Sequence, residues 1–227
     1  MPDKRPDSLG PHSPGPDSPG PDSLAAVAAL SPVDGRYRAA TEPLRDLLSE
    51  AGLIRERVRI EAAWLLHLAA AVPQLAGAAL APAAISRARE LARAPDADCA
   101  QAVKTIEAVI NHDVKAVEYY VRQQLAAAGA SEASLELVHF GCTSEDINNL
   151  SYARLLGEAR RRLLATLGAR TVELAALAHR EADAPMLART HGQPATPTTL
   201  GKEVANFVAR LRRLERRWSA VTILGKW

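Results

Sequence analysis

The stretch ARTHGQPATPTTLGKE, residues 188–203, contains the histidine best placed for chemistry. His191 stands between Thr190 and Gly192, with Gln193 next and prolines at 194 and 197 before an amphipathic helix begins. It therefore reads as part of a stiff, non-helical connector rather than of an apolar face. An imidazole with an ordinary pKa of roughly 6.5 can exchange a proton near neutral pH, and a rigid connector makes it a usable general acid or base. Three further polar clusters interrupt a helical pattern: SPVDGRY at 31–37, NHD at 111–113 and TSED at 143–146. Each falls at a helix boundary or break, where backbone groups are free and side chains from several rods can converge. Thr143 and Ser144 open a helix, and its unpaired N–H groups together with two hydroxyls suit a carboxylate or phosphate oxygen. Each cluster also has a plain structural reading: Thr143 and Ser144 as a cap, SPVDGRY as a turn, and Asn111-His112-Asp113 as a kink in which Asp113 orients His112. His67, His139 and His179 read as packing or surface residues, and His12 as incidental.

The elements that must position these clusters are all helical in pattern, with no convincing alternating strand. Residues 1–24 hold seven of the fifteen prolines and a tandem PGPDS repeat. Such a segment has nothing to bury and is expected to be a disordered tail. Beyond it, Thr41-Glu42-Pro43 opens a short helix that Gly52 can close. A second helix follows from about Leu53 to Val72, stopped by Pro73, and Pro82 opens a third to about Ala94. A fourth begins near Asp98, meets the NHD triplet after Ile110, and ends at Gly129. Thr143-x-x-Asp146 matches a capping box, starting a helix that continues to about Ala182, roughly 55 Å at the helical rise. Leu200, Val204, Phe207, Leu211, Leu214, Trp218 and Val221 then follow heptad spacing, as in a bundle seam. The expected class is all-α: residues 25–129 form an N-terminal helical domain, and 130–227 part of a bundle of long helices.

Composition sets the limits on function. Twenty-eight basic against 26 acidic residues give a net charge of +2, which offers no general attraction for nucleic acid or an anionic membrane. The run RLRRLERR at 210–217 lacks interleaved aromatics and reads as a solvated or interhelical charged face. Cys99 and Cys142 are isolated, and no histidine pair or carboxylate has ligand spacing, so neither a disulfide framework, a metal site nor a cofactor is expected. The uncharged stretch from Ala62 to Ser86 is interrupted by Pro73, Gln74 and Pro82 and is too weakly hydrophobic for a membrane span. No signal peptide is visible, and a reducing cytoplasmic setting is expected.

SPVDGRY, TIEAVINHDVKAVEYY, HFGCTSEDINNLSYARLL and RTHGQPATPTTLGKEVANF occur in this order, and together they closely resemble the bacterial-type adenylosuccinate lyases of the fumarase/aspartase superfamily. The likeness runs from about Leu30 to Lys226. It implies a homotetramer built around long helices, cytoplasmic, needing no cofactor. The implied reaction removes fumarate from adenylosuccinate to give AMP, and from the succinyl-carboxamide nucleotide SAICAR to give AICAR, in purine synthesis. The resemblance places His191 on the leaving-nitrogen side as the catalytic histidine and Arg36 and Tyr37 at the phosphate of the substrate. It makes Asn111, His112 and Asp113 a second substrate-binding group, gives Thr143 and Ser144 the succinyl part, and sets Thr190 and Gln193 beside the acid. The 227 residues contain no counterpart of the family's GSSxMPxKxNP loop, which carries the base serine. The resemblance therefore covers the N-terminal half of such an enzyme, and the isolated chain is expected to be inactive. The other readings are a catalytically inactive truncated helical fragment and a helical oligomerisation or interaction module.

Overall fold

The computed structural model describes residues 24–72 and 80–226. The proline-rich residues 1–23 and the expected stop at Pro73 lie outside them. The chain divides into two compact units, the first ending at Gly52 and the second beginning at Leu53.

In the first unit, α1 (Leu24–Val27) and α2 (Arg38–Leu48) flank the SPVDGRY segment, which is a hydrogen-bonded turn. Ser31 O accepts from the amides of Asp34 and Gly35 at 3.1 and 3.0 Å, and Pro32 O from Tyr37 at 2.8 Å. Gly35 is required there, because a Cβ would lie 2.3 Å from Ala26 O. Helix α2 starts a turn earlier than expected, at Arg38, and carries Pro43 within it. Gly52 does not close it. Ser49 leaves the helical conformation, and Gly52 lies in the first turn of α3 (Glu50–Ala71), where a Cβ would meet Leu47 O at 2.2 Å. The glycine serves close approach rather than chain reversal.

The core of the second unit is built from α3, α4 (Pro82–Arg93), α5 (Cys99–Ile110), α6 (Asp113–Ala127) and the short α7 (Glu132–Leu135). Helix α3 contributes Ile54, Val58, Ala62 and Leu65 at helical spacing, α4 Ala84, Ala88 and Leu91, and α6 Val117, Val121 and Leu125. Each fully buried Leu or Val stabilises the fold by about 1.5–3 kcal/mol relative to exposure. A smaller cluster of Ile60, Val114 and Ile147 joins α3, the start of α6 and the start of α8 (Ser144–Arg180). The expected NHD interruption is a true break: Asn111 adopts the left-handed conformation at φ 55°, and a new helix starts two residues later.

The expectation of no strand fails after α8. Pro185–Thr190 and Gln193–Thr199 form antiparallel β1 and β2, with Thr190 opposite Gln193 and an irregularity between Leu187 and Arg189. His191 and Gly192 are the two central residues of the turn, with φ of 49° and 77°. Positive φ at both positions is the type I′ pattern that suits a two-residue hairpin. Pro194 and Pro197 argue against a central strand but are tolerated here, because both strands of a two-stranded ribbon are edges.

Helix α9 (Leu200–Ser219) then packs back along α8. The approach is closest at Gly201, where a Cβ would stand 2.3 Å from Ala178 O. The expected seam is only half covered. Gly201 and Val208 are buried and Val204 and Leu211 partly so, while Phe207 and Leu214 are 58% and 53% exposed. The covered stripe lies one position round from the Leu200-Phe207-Leu214 row, and that row borders an open apolar face. Among the described residues, no helix is long and apolar enough to cross a membrane.

Candidate active site

Asn111, His112 and Asp113 are exposed at the α5–α6 break. His112 is the N-cap of α6, its Nδ1 accepting from the Lys115 amide at 3.2 Å. Asp113 does not orient it: the two side chains are 3.7 Å apart, whereas Arg57 holds the Asp113 carboxylate at 2.8 Å. Burial would raise the Asp113 pKa, but the Val114 amide and the Arg57 guanidinium outweigh it and hold the carboxyl below its ordinary value.

Thr143 caps α8, and Asp146 Oδ2 accepts from both its amide at 2.8 Å and its hydroxyl at 3.0 Å. The expected capping box is present, and these bonds hold the Asp146 carboxyl below its usual range. Ser144 is half-buried at the first helical position. The connector before it is fixed from α3. His139, at φ 62°, places Nδ1 2.5 Å from Glu61 Oε1, and Trp64 Nε1 donates to Phe140 O at 2.9 Å. Burial pushes the Cys142 thiol in this connector up to about 12, which favours its protonated form.

Arg57 brings two of the clusters together. The same guanidinium that pairs with Asp113 donates through Nε to Asn148 Oδ1 at 2.8 Å, tying the α6 start to the first turns of α8. Thr190, His191 and Gln193 lie elsewhere, exposed at the hairpin tip. Helix α8 spans 37 residues, about 55 Å, while the stretch from Arg180 to His191 reaches at most about 40 Å when extended. His191 therefore stays at least ~15 Å from Thr143 of the same chain. Arg36 and Tyr37 belong to the first unit, where both side chains are exposed and the guanidinium stands 5.7 Å from the ring centre.

The sequence matches the lyase family over residues 35–224. The chain belongs to the lyase family. Among curated relatives, the adenylosuccinate lyase of Escherichia coli K12 is 43% identical over 204 residues, covering 89% of this chain and 45% of the relative. That of Vibrio cholerae is 43% identical over 208 residues, with the same coverage. The chain thus spans under half the length of these relatives. Among solved structures, the 3-carboxy-cis,cis-muconate lactonizing enzyme of Pseudomonas putida matches at 25% identity and a TM-score of 0.61, over 86% of this chain and 40% of that one. A fumarate lyase from Mesorhizobium sp. BNC1 matches in fold at 23% identity and a TM-score of 0.61, over 78% of this chain and 39% of that one. These neighbours place the fold among the fumarase/aspartase-superfamily helical bundles.

The contacts of Arg57, Glu61 and Trp64 with the segments that bear these candidates, and the His139 link to Glu61, were not anticipated from sequence. The available signal was two charges, Arg57 and Glu61, set one turn apart within the apolar row of α3. A buried charge needs a partner, so each pointed to a contact elsewhere in the chain.

Proposed function

We propose that the chain contributes to an adenylosuccinate lyase and carries two separate parts of its site. The observation that carries this reading is a histidine, His191, held exposed at a two-residue turn of positive φ, alongside 43% identity to relatives of that name. In the elimination, a base removes the proton from the succinyl carbon β to the leaving nitrogen, and the electron pair delocalises into the adjacent carboxylate. The C–N bond then breaks, fumarate forms, and an acid protonates the departing nitrogen. His191 is that acid, with Thr190 and Gln193 beside it. Thr143, Ser144 and the α8 amides receive the succinyl carboxylate. Arg36 and Tyr37 hold the phosphate, where a guanidinium bonds bidentately, and Asn111, His112 and Asp113 form a second substrate-binding group. SAICAR, with the same succinyl–nitrogen linkage, is the second substrate, and the setting is the cytoplasm.

His191 and Thr143 of one chain are too far apart to act on one succinyl group, which favours a homo-oligomer in which different copies supply them. A homotetramer is the expected assembly. The base is assigned to the serine loop of the family, which these 227 residues do not contain. The isolated chain therefore turns over little or no adenylosuccinate. The test reconstitutes the chain with the remaining segment of a relative and follows adenylosuccinate conversion by ultraviolet absorbance. His191→Gln is expected to bind substrate but to lose on the order of 10² to 10⁴ in kcat. Near-normal turnover by this variant would remove His191 from the acid role.

A further inference from the structure

Helix α3 carries three polar side chains at the spacing of one helix face, Arg57, Glu61 and Trp64, and each makes a bond to a segment bearing candidate site residues. Arg57 spans Asp113 and Asn148, both at 2.8 Å. Glu61 meets His139 at 2.5 Å, and Trp64 meets Phe140 O at 2.9 Å. We propose that α3 is the positioning element of the site: this row holds the 111–113 break and the 139–148 segment in register, with Glu61 setting the connector that presents Thr143 and Ser144. The inference rests on the reading of Thr143 and Ser144 as carboxylate donors, and it makes Glu61 a positioning residue.

Burial separates Glu61 from an incidental surface pair. Its side chain is fully buried, and among the described residues Oε2 has no hydrogen-bond partner. A carboxylate kept in such a place has one strong tie, to an imidazole whose own backbone sits in the left-handed region. Burial raises the Glu61 pKa despite His139, while Glu61 raises that of His139. The other charged or titratable groups facing the pair, among the described residues, are Cys142 on the connector and Glu118 and Lys115 on α6, Glu118 being engaged by Lys115 at 2.8 Å and Arg122 at 3.7 Å. Trp64 then fixes the connector backbone one residue on. The glycine at 141, at φ 75°, turns the chain toward the α8 cap.

The test uses the full chain with Glu61→Gln, Glu61→Leu and Trp64→Phe. Amide hydrogen exchange is read at residues 140–144, the His139 ring is titrated by NMR, and adenylosuccinate binding is read on the enzyme reconstituted with the remaining segment of a relative. In the wild-type chain His139 titrates above the ordinary histidine range, and Glu61→Gln brings it down. Glu61→Leu speeds exchange at 140–144 by about tenfold, while the buried amides of α4 to α6 stay protected. Trp64→Phe speeds the same amides without moving the His139 titration. Adenylosuccinate affinity falls by about tenfold in Glu61→Leu and is largely restored in Glu61→Gln, which keeps an acceptor for the imidazole. Unchanged exchange and titration in Glu61→Leu would overturn the proposal. If that variant does not fold, an unmoved His139 titration in Glu61→Gln, or unchanged exchange in Trp64→Phe, does so instead. A reconstituted wild-type enzyme that fails to bind adenylosuccinate would sink the lyase reading, while exchange and titration still decide whether α3 positions the connector.

Discussion

Replacing Gly201 with alanine tests how the hairpin that carries His191 is anchored. Gly201 lies in the first turn of α9, and its amide donates to Glu181 O at 2.8 Å while Leu200 donates to Ala184 O at 3.0 Å. These bonds close the base of the hairpin against the end of α8. A Cβ at Gly201 would stand 2.3 Å from Ala178 O and 2.7 Å from Ala182 Cα. The first contact is about 1 Å short of a comfortable separation near ~3.5 Å. Both obstacles are backbone, so no rotamer change relieves them and α9 must move. Alanine for glycine in a helix gains about 1 kcal/mol, whereas overpacking costs about 1–3 kcal/mol, here near the top of that range. The expected net loss is about 1–2 kcal/mol, lowering Tm by about 2–8 °C in a chain of this length. Gly157 and Gly168, within α8, supply the control, since a Cβ at either meets nothing within 4 Å. Alanine there should stabilise by up to about 1 kcal/mol. Thermal unfolding by circular dichroism compares the three, and hydrogen exchange at 185–199 reads the hairpin. Gly201→Ala melting above wild type, as the controls should, would refute the packing argument.

Stability should also respond to pH through the Glu61–His139 pair. Both folded pKa values are raised, so over the titration range the native chain binds more protons than the unfolded one. The His139 contribution is fully present below about pH 6.5 and is lost as pH rises through its raised folded value; that of Glu61 is present below about pH 4.5 and declines likewise. Denaturant midpoints for wild type minus Glu61→Gln should fall from pH 6 to 9, and a rising difference would contradict the assignment. The open apolar face of α9 should drive self-association of the isolated chain. Phe207→Glu with Leu214→Glu should shift its mass in solution toward monomer, whereas an already monomeric wild type would count against that role. Arg36→Ala should weaken adenylosuccinate binding while leaving kcat nearly unchanged in the reconstituted enzyme, because a phosphate contact persists through ground and transition states. A kcat loss with unchanged affinity would speak against a phosphate contact.

Much of the helical frame was legible because its signals are local. Pro82 opens α4 and the Thr143–Asp146 pair opens α8, within one residue of expectation. The hairpin was not legible. Pro194 and Pro197 oppose a strand in any paired interior, and only the tertiary fact that β1 and β2 are each other's sole partners among the described residues makes them acceptable. The same stretch still marked His191 correctly as held off a helix, since the rigidity of a Pro-flanked turn and that of a type I′ turn look alike in sequence. Gly52 misled because a glycine that ends a helix and one that admits a neighbouring carbonyl cannot be told apart without the second backbone. The α9 seam was legible in period but not in phase: apolar residues occupy both the covered and the open stripe, and Gly201, which permits the close contact with α8, carries little hydrophobic signal. Asp113 was assigned to its sequence neighbour His112, when the stronger claim on it came from Arg57, far off in sequence and invisible to any local pattern.

The most direct measurement mixes two variants of the reconstituted enzyme, His191→Gln and the double change Thr143→Ala with Ser144→Ala, each close to inactive alone. If different copies supply the proton-transfer histidine and the carboxylate donors, unfolding and reassembling the mixture must create some sites with both parts intact. Adenylosuccinate turnover should then recover to a sizeable fraction of wild type, roughly a quarter for random pairing of two copies at a site. A mixture no more active than its separate components, despite proven exchange of subunits, would contradict the division of the site between copies.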